Sequence, residues 1–155
     1  MFAKVYTIFR PLLRTFDFLM PVGDLAVRLW VAHIFFKAAL TKIQSWDSTI
    51  LLFTHEYQVP FLSPVFAAYL GTGAELILPI LLVLGLGGRV VIFVFFCYNA
   101  IAVISYPYLH TPEGLPGLLQ HVNWGLLLMM LMFHGSGKIS LDHWLAKHFE
   151  RKLFS

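Results

Sequence analysis

Apolar residues in this chain run in long, nearly uninterrupted stretches, and four of them, 24–41, 63–84, 89–106 and 118–134, carry few charges. A hydrocarbon core of roughly 30 Å takes about 20 helical residues, so each stretch predicts a membrane-spanning helix. The first is interrupted by charge and the last is short.

The flanks have a different rhythm. Phe2, Val5, Tyr6, Phe9, Leu12, Leu13 and Phe16 recur with basic residues between them, and Pro11 is expected to bend or interrupt the segment. In the tail, Leu141, Trp144, Leu145, Phe149 and Leu153 share one helical face behind Ser140, a residue suited to an N-cap. Both patterns predict amphipathic helices lying in the membrane interface, over 2–18 and 140–153. Between the first two spans, Asp47 or Ser48 is placed to cap a short helix running to Glu56, before Pro60 and Pro64. With Trp46, Phe53 and Tyr57 it is expected to cover the outer mouth of the bundle. The predicted fold is thus one all-α domain over 1–155, an integral membrane four-helix bundle with interfacial helices at both ends.

Composition agrees with that pattern. Of 155 residues, 59% are hydrophobic and only 12% charged, which excludes an ordinary water-soluble domain. The net charge of +3 is small and its basic residues gather towards the two ends, so lipid headgroups rather than nucleic acid are the expected partners. Lys4, Arg10, Arg14, Arg89, Lys138, Lys147, Arg151 and Lys152 fall in the N-terminal segment, the second connection or the tail. The first and third connections hold Lys42 alone, so both termini are expected in the cytoplasm. The N-terminus has no signal-peptide pattern. A single cysteine, Cys97, rules out an internal disulfide or a dithiol of this chain's own, and reads as packing.

Ionisable residues inside the spans are the candidate chemistry. Arg28 and Lys42 fall on one face of the first helix with Ala32, Phe35 and Ala39, while His33 and Lys37 lie on the opposite side. Glu75 comes near the middle of the second span, on the face of Ala68, Gly71 and Thr72. An ion at helix centre costs roughly 3 kcal/mol, so Glu75 should be protonated, paired or facing water. The first two helices are expected to meet through Arg28, Lys42 and Glu75. His33 and Lys37 match Glu75 in depth and are expected to join it, while Arg28 and Lys42 can also reach the interfaces. Asn99 and Asn123 are expected to hydrogen-bond across the bundle. Three readings compete: a structural network that only fixes helix order, a proton-handling Glu75 and His33, and a polar pocket for the head of a small molecule such as a quinone. Haem has little support, because only His33 lies near the middle of a span. Copper held by Met129, Met130, Met132 and Cys97 is a poorer reading than packing, and no HExxH or GxxxxGK[ST] signature is present.

Arg28 with Phe35-Phe36 and Thr41-Lys42-Ile43, then GAELILPILLVLGLGGR from Gly73 to Arg89, then HGSGKISLD from His134 to Asp142 resemble the DoxX family of small bacterial membrane proteins. The resemblance implies an inner-membrane four-helix bundle, with Arg28, Lys42, Glu75, Arg89, Gly135, Gly137 and Asp142 at motif positions. Ala38 and Ala39 stand where the family often has Ser-Gly. The segment STILLFTHEYQVP is similar to DoxX-type proteins that accompany biosynthesis of copper-binding modified peptides. The family association points to quinone- or thiol-linked redox systems, in which this chain would be an accessory subunit with a protein partner. Runner-up readings are a small transporter or copper-handling membrane protein, guided by Glu75, His33, His55, Glu56 and His110, and a structural scaffold. A homo-oligomer is left open.

Overall fold

The computed structural model describes the backbone of residues 2–153 and the side chains of residues 9–148. Six α-helices and one 3₁₀ turn make up the described chain: α1 (Phe2–Gln44), α2 (Trp46–His55), α3 (Pro64–Leu84), α4 (Gly88–Ser105), the turn Pro107–His110, α5 (Leu115–His134) and α6 (Leu141–Leu153). Four of them, α1, α3, α4 and α5, are long and apolar enough to cross a membrane. Most of their surface points outwards, as lipid contact requires. The protein is a multi-pass membrane protein.

The expected division at the N-terminus is absent. Segment 2–18 and the first span form one 43-residue helix that continues through Pro11 and Pro21. Each proline removes one N–H from the ladder but leaves the turns around it intact, and Thr15 Oγ1 donates to the Pro11 carbonyl at 3.1 Å. At about 65 Å, α1 is twice as long as a span, so its first half projects beyond the bundle. Residues 9–20 are exposed there, Phe18 to 79%. The side chains of Phe2, Val5, Tyr6, Phe149 and Leu153, which carried part of the amphipathic pattern, lie outside the described residues. At the other terminus Ser140 does cap α6, its Oγ accepting from His143 N at 3.2 Å.

The bundle consists of two close helix pairs, α1 with α3 and α4 with α5, which meet less extensively along the α3–α4 seam. Small residues let α1 approach α3, Ala32 and Ala39 both being buried, while Ala67 and Ala68 pack with Phe53 of α2. Phe35 joins the pairs, meeting Phe95 edge-on at 4.8 Å and Trp124 at 5.3 Å between ring centroids. Around it Val31, Leu78, Leu82, Ile92, Leu128 and Leu131 complete one core.

The two ends of the bundle differ in construction. At the tail end, where the N-terminal half of α1 leaves and α6 begins, α3 stops at Gly85 with φ +65°, and Leu86 N donates back to Leu81 O at 3.0 Å. No side chain fits at Gly85, because a Cβ would run into the Arg28 guanidinium and Ser140. At the cap end, α2 lies across the start of α3. Ser45, rather than Asp47 or Ser48, occupies its N-cap position, and no side chain caps the helix, since Ser45 Oγ turns to Ser48 Oγ at 2.7 Å.

Candidate functional site

A cavity of about 310 Å³ opens beneath α2, between the end of α1, the first half of α3 and the last turns of α4. Most of its wall is apolar or aromatic. The polar exceptions are Lys42, Glu75, Tyr57, Tyr98 and Ser105. That composition, apolar with a few convergent polar groups, is the one small-molecule sites have.

Glu75 anchors the polar wall. Lys42 Nζ donates to its Oε2, and Tyr98 OH lies 3.0 Å from its Oε1 and 3.1 Å from the Gly71 carbonyl. The side chains of Lys42 and Glu75 are only 13% and 9% exposed, so the pair is largely desolvated. Such a pair gains little net stability over apolar packing, but losing one partner leaves the other charge stranded. Among the described residues no group accepts the other two N–H donors of Lys42, and Ser105 Oγ, fully buried at the far side, has no partner either. Gly71 permits this closeness: a Cβ there would come 3.2 Å from the Phe53 ring and 3.7 Å from Tyr98 OH.

Aromatic rings close the top. Phe53 stacks on Tyr57 at 4.6 Å and Tyr57 on Tyr106 at 4.7 Å, while Tyr106 OH donates to Glu56 Oε2 at 3.0 Å. The backbone is tied as well, Gln58 N donating to Ser105 O at 2.7 Å. Burial first, and then the negative charge of Glu75, push the Tyr57 phenol well above the usual tyrosine range. The expected cap is therefore present and forms the roof of the cavity.

The residues named as a pocket from sequence do not all meet. Lys42 and Glu75 do. His33 and Lys37 are exposed on the opposite side of α1, which corrects the expectation that they partner Glu75. Helix geometry gives the reason. Arg28 sits against Gly85, so Lys42, fourteen residues on, is about 21 Å along α1, while Glu75 is about 15 Å back along α3. The difference is the reach of a lysine side chain, and the small-residue face that packs on α3 carries Lys42 but not Lys37.

Arg28 is 1% exposed and belongs to the tail end, against Gly85, which corrects the expectation that it meets Glu75. Its Nη2 donates to the Ile139 carbonyl, while Nε and Nη1 have no partner among the described residues. The residual space beside it, lined by Gly85, Gly88 and Ser136, is too small for a water. The remaining motif residues gather nearby. Asp142 Oδ1 accepts from Gly87 N at 3.2 Å, Arg89 Nη2 donates to Phe133 O at 3.1 Å, and Gly135 and Gly137 turn the chain with positive φ between α5 and α6. Asp24 Oδ1 faces His134 Nδ1 at 3.2 Å.

Asn99 is glue between α4 and α5. Its Nδ2 donates to the His121 carbonyl at 3.0 Å, so its Oδ1 accepts from His121 Nδ1 at 2.8 Å. Asn123, expected to bond across the bundle, is exposed instead. Glu56 is engaged by Tyr106 and His110 Nε2 lies 3.2 Å from the Val103 carbonyl, while His55 is exposed. Among the described residues no three His, Cys, Asp or Glu side chains gather as a metal site.

Sequence reasoning missed Tyr98, Ser105 and Asp24. A phenol inside a span needs a polar partner, which was the available signal for Tyr98. Asp24 stands four residues before Arg28, one turn away on the same face.

No curated protein and no solved structure matches this chain. The DoxX family model matches residues 23–107, more than half of the 155, from the bundle half of α1 through α4 and the 3₁₀ turn's first residue. The match takes in Arg28 and also Lys42, Tyr57, Glu75, Tyr98 and Ser105, the whole polar wall of the cavity with its cap. This all-helical, four-span chain belongs to the DoxX family.

Proposed function

We propose that the protein is an accessory membrane subunit of a redox system and that the cavity under the cap takes the polar head of a small carbonyl compound, a quinone being the best fit. Membership of a family often associated with redox functions supports the setting. The observation that carries the site is the Lys42, Glu75 and Tyr98 cluster on the wall of an otherwise apolar cavity, with Ser105 Oγ unpartnered opposite.

The residues fit that ligand. A ring carbonyl is an acceptor only, and the spare N–H groups of Lys42 and the Ser105 hydroxyl are donors without acceptors. Glu75 holds the Lys42 ammonium in place, while Tyr98 orients the carboxylate. Apolar walls at Leu70, Ala74 and Ile101, on the loosely packed seam, suit a ring and the start of a hydrocarbon tail arriving from the bilayer. A bound quinone would supply two-electron redox chemistry. This chain's own part is to bind it, shield it from water and hold protonatable groups beside it.

Orientation follows the charges. Arg10, Arg14, Arg89, Lys138 and Lys147 lie at the tail end and Lys42 alone towards the cap, which supports both termini in the cytoplasm and the cavity near the outer side of a bacterial inner membrane.

The test is native mass spectrometry of protein gently extracted from its own membranes, with solvent extraction and metal analysis of the same sample. One quinone per chain, absent from folded Glu75→Gln and Lys42→Met variants, is the expected result. A bare chain, or a quinone retained by both variants, overturns the reading, and stoichiometric copper would move the function to metal handling.

A further inference from the structure

Lys37 and His33 pose a separate problem. Both project from α1 away from Glu75, both are exposed, and among the described residues neither side chain has a hydrogen-bonding or ionic partner. Lys37 lies about 14 Å along the helix from Arg28 and about 8 Å short of Lys42, level with the middle of α3. The apolar stretch ends at Thr41, about 6 Å further along α1, and the Cα–Cβ bond of Lys37 tilts the other way, towards the helix N-terminus, so bringing the ammonium to that interface takes the whole stem.

Beside them runs a groove of about 320 Å³ between α1 and α3, floored by Ala32 and Pro79 and rimmed by Leu29, Phe36 and Val83. Its lining is apolar apart from His33. A shallow groove with a small residue at its floor is a surface on which another membrane helix packs closely.

Charge decides which helix. A second copy of this chain has no carboxylate to offer at that depth: Asp24 and Glu75 are buried and engaged, and the other described carboxylates lie at the tail or cap ends. Lys37 and His33, one turn apart on one face, suit a single carboxylate placed between them.

We propose that this face of α1 is the docking surface for a membrane helix of a different protein, one that carries an aspartate or glutamate at mid-membrane and accepts from Lys37 and His33. The assignment is independent of what the cavity binds.

A photo-reactive benzoylphenylalanine in place of Phe36, activated in native membranes, tests it, with the same group in place of Val94 on α4 as control. The expected product at Phe36 is one discrete protein adduct whose cross-linked peptide is an apolar helix containing Asp or Glu, absent at Val94. Its yield should fall at least about tenfold in Lys37→Leu and persist in Lys37→Arg. Lys37→Glu should abolish it, and exchange of the partner's carboxylate for lysine should restore it. Adducts with lipid alone or with a second copy, a peptide without a carboxylate, or a yield indifferent to Lys37→Leu in folded protein would each overturn the proposal.

Discussion

Two buried cations, Arg28 and Lys42, lie on one face of α1 and end in opposite circumstances. Arg28 is sealed at the tail end among backbone: the Ile139 carbonyl accepts from it, Gly85 leaves room for its guanidinium, and no space for even a water remains beside it. Lys42 shares a carboxylate with a tyrosine at the edge of a cavity large enough for a ring. The first arrangement fastens helices. The second leaves two lysine N–H donors beside a cavity, the arrangement on which the proposed ligand site rests. Burial of an ionisable group therefore does not separate the two sites; the room beside it does.

Substitutions at the tail end should act on stability alone. Gly85→Ala combines a left-handed backbone with a Cβ driven into Arg28 and Ser140, and we expect a loss of about 3 kcal/mol in thermal unfolding in detergent, the largest effect of the set. A stability change below about 1 kcal/mol would mean that the α3–α4 turn can relax and that Arg28 is not sealed.

At the cap end the pair should show coupling. Lys42→Met and Glu75→Gln are each expected to cost about 2 kcal/mol, because each strands a desolvated partner, and the double variant should cost less than their sum. Additive losses would break the pair as a unit. Smaller again is Ser105→Ala, which removes a buried hydroxyl that bonds to nothing. It should stabilise the empty protein by up to about 1 kcal/mol and yet weaken retention of a carbonyl ligand. Loss of stability instead would show that the hydroxyl has a structural partner.

The smallest effect at neutral pH belongs to Tyr57→Phe, which keeps the stack on Phe53 and Tyr106. Burial raises the folded-state pKa of Tyr57, so the folded protein holds that proton more firmly than the unfolded chain. Its contribution is present below the ordinary tyrosine value near 10 and is lost as pH climbs beyond it. Stability against unfolding, followed from pH 8 to 11, should thus fall more steeply in the native protein than in Tyr57→Phe.

Span number, the short helix that roofs the cavity and the face shared by Arg28, Ala32, Phe35, Ala39 and Lys42 were all legible in the linear pattern. Each depends on hydropathy or on the 100° step of one helix, and both are local. Of the bend or interruption expected at Pro11, the interruption does not occur: proline signals a missing hydrogen bond, and one missing bond does not end a helix whose neighbouring turns remain closed.

Which ion met which was not legible. Equal depth made Lys37 and His33 look like partners of Glu75, but depth says nothing of azimuth between two helices, and the alanine face that brings α1 against α3 turns both residues outwards. Tyr98 and Ser105 join the cavity from α4, more than twenty residues from Glu75, through a seam that no periodicity encodes. The sequence by itself determined that this chain crosses a membrane four times as helices and buries charge in doing so, because the cost of polar groups in hydrocarbon acts on every residue where it stands. Only the tertiary structure decided that Lys42 rather than Lys37 neutralises Glu75, that a cavity remains beside them and that Arg28 is walled in, because these depend on how rigid helices dock, and docking is set by contacts between residues far apart in the chain.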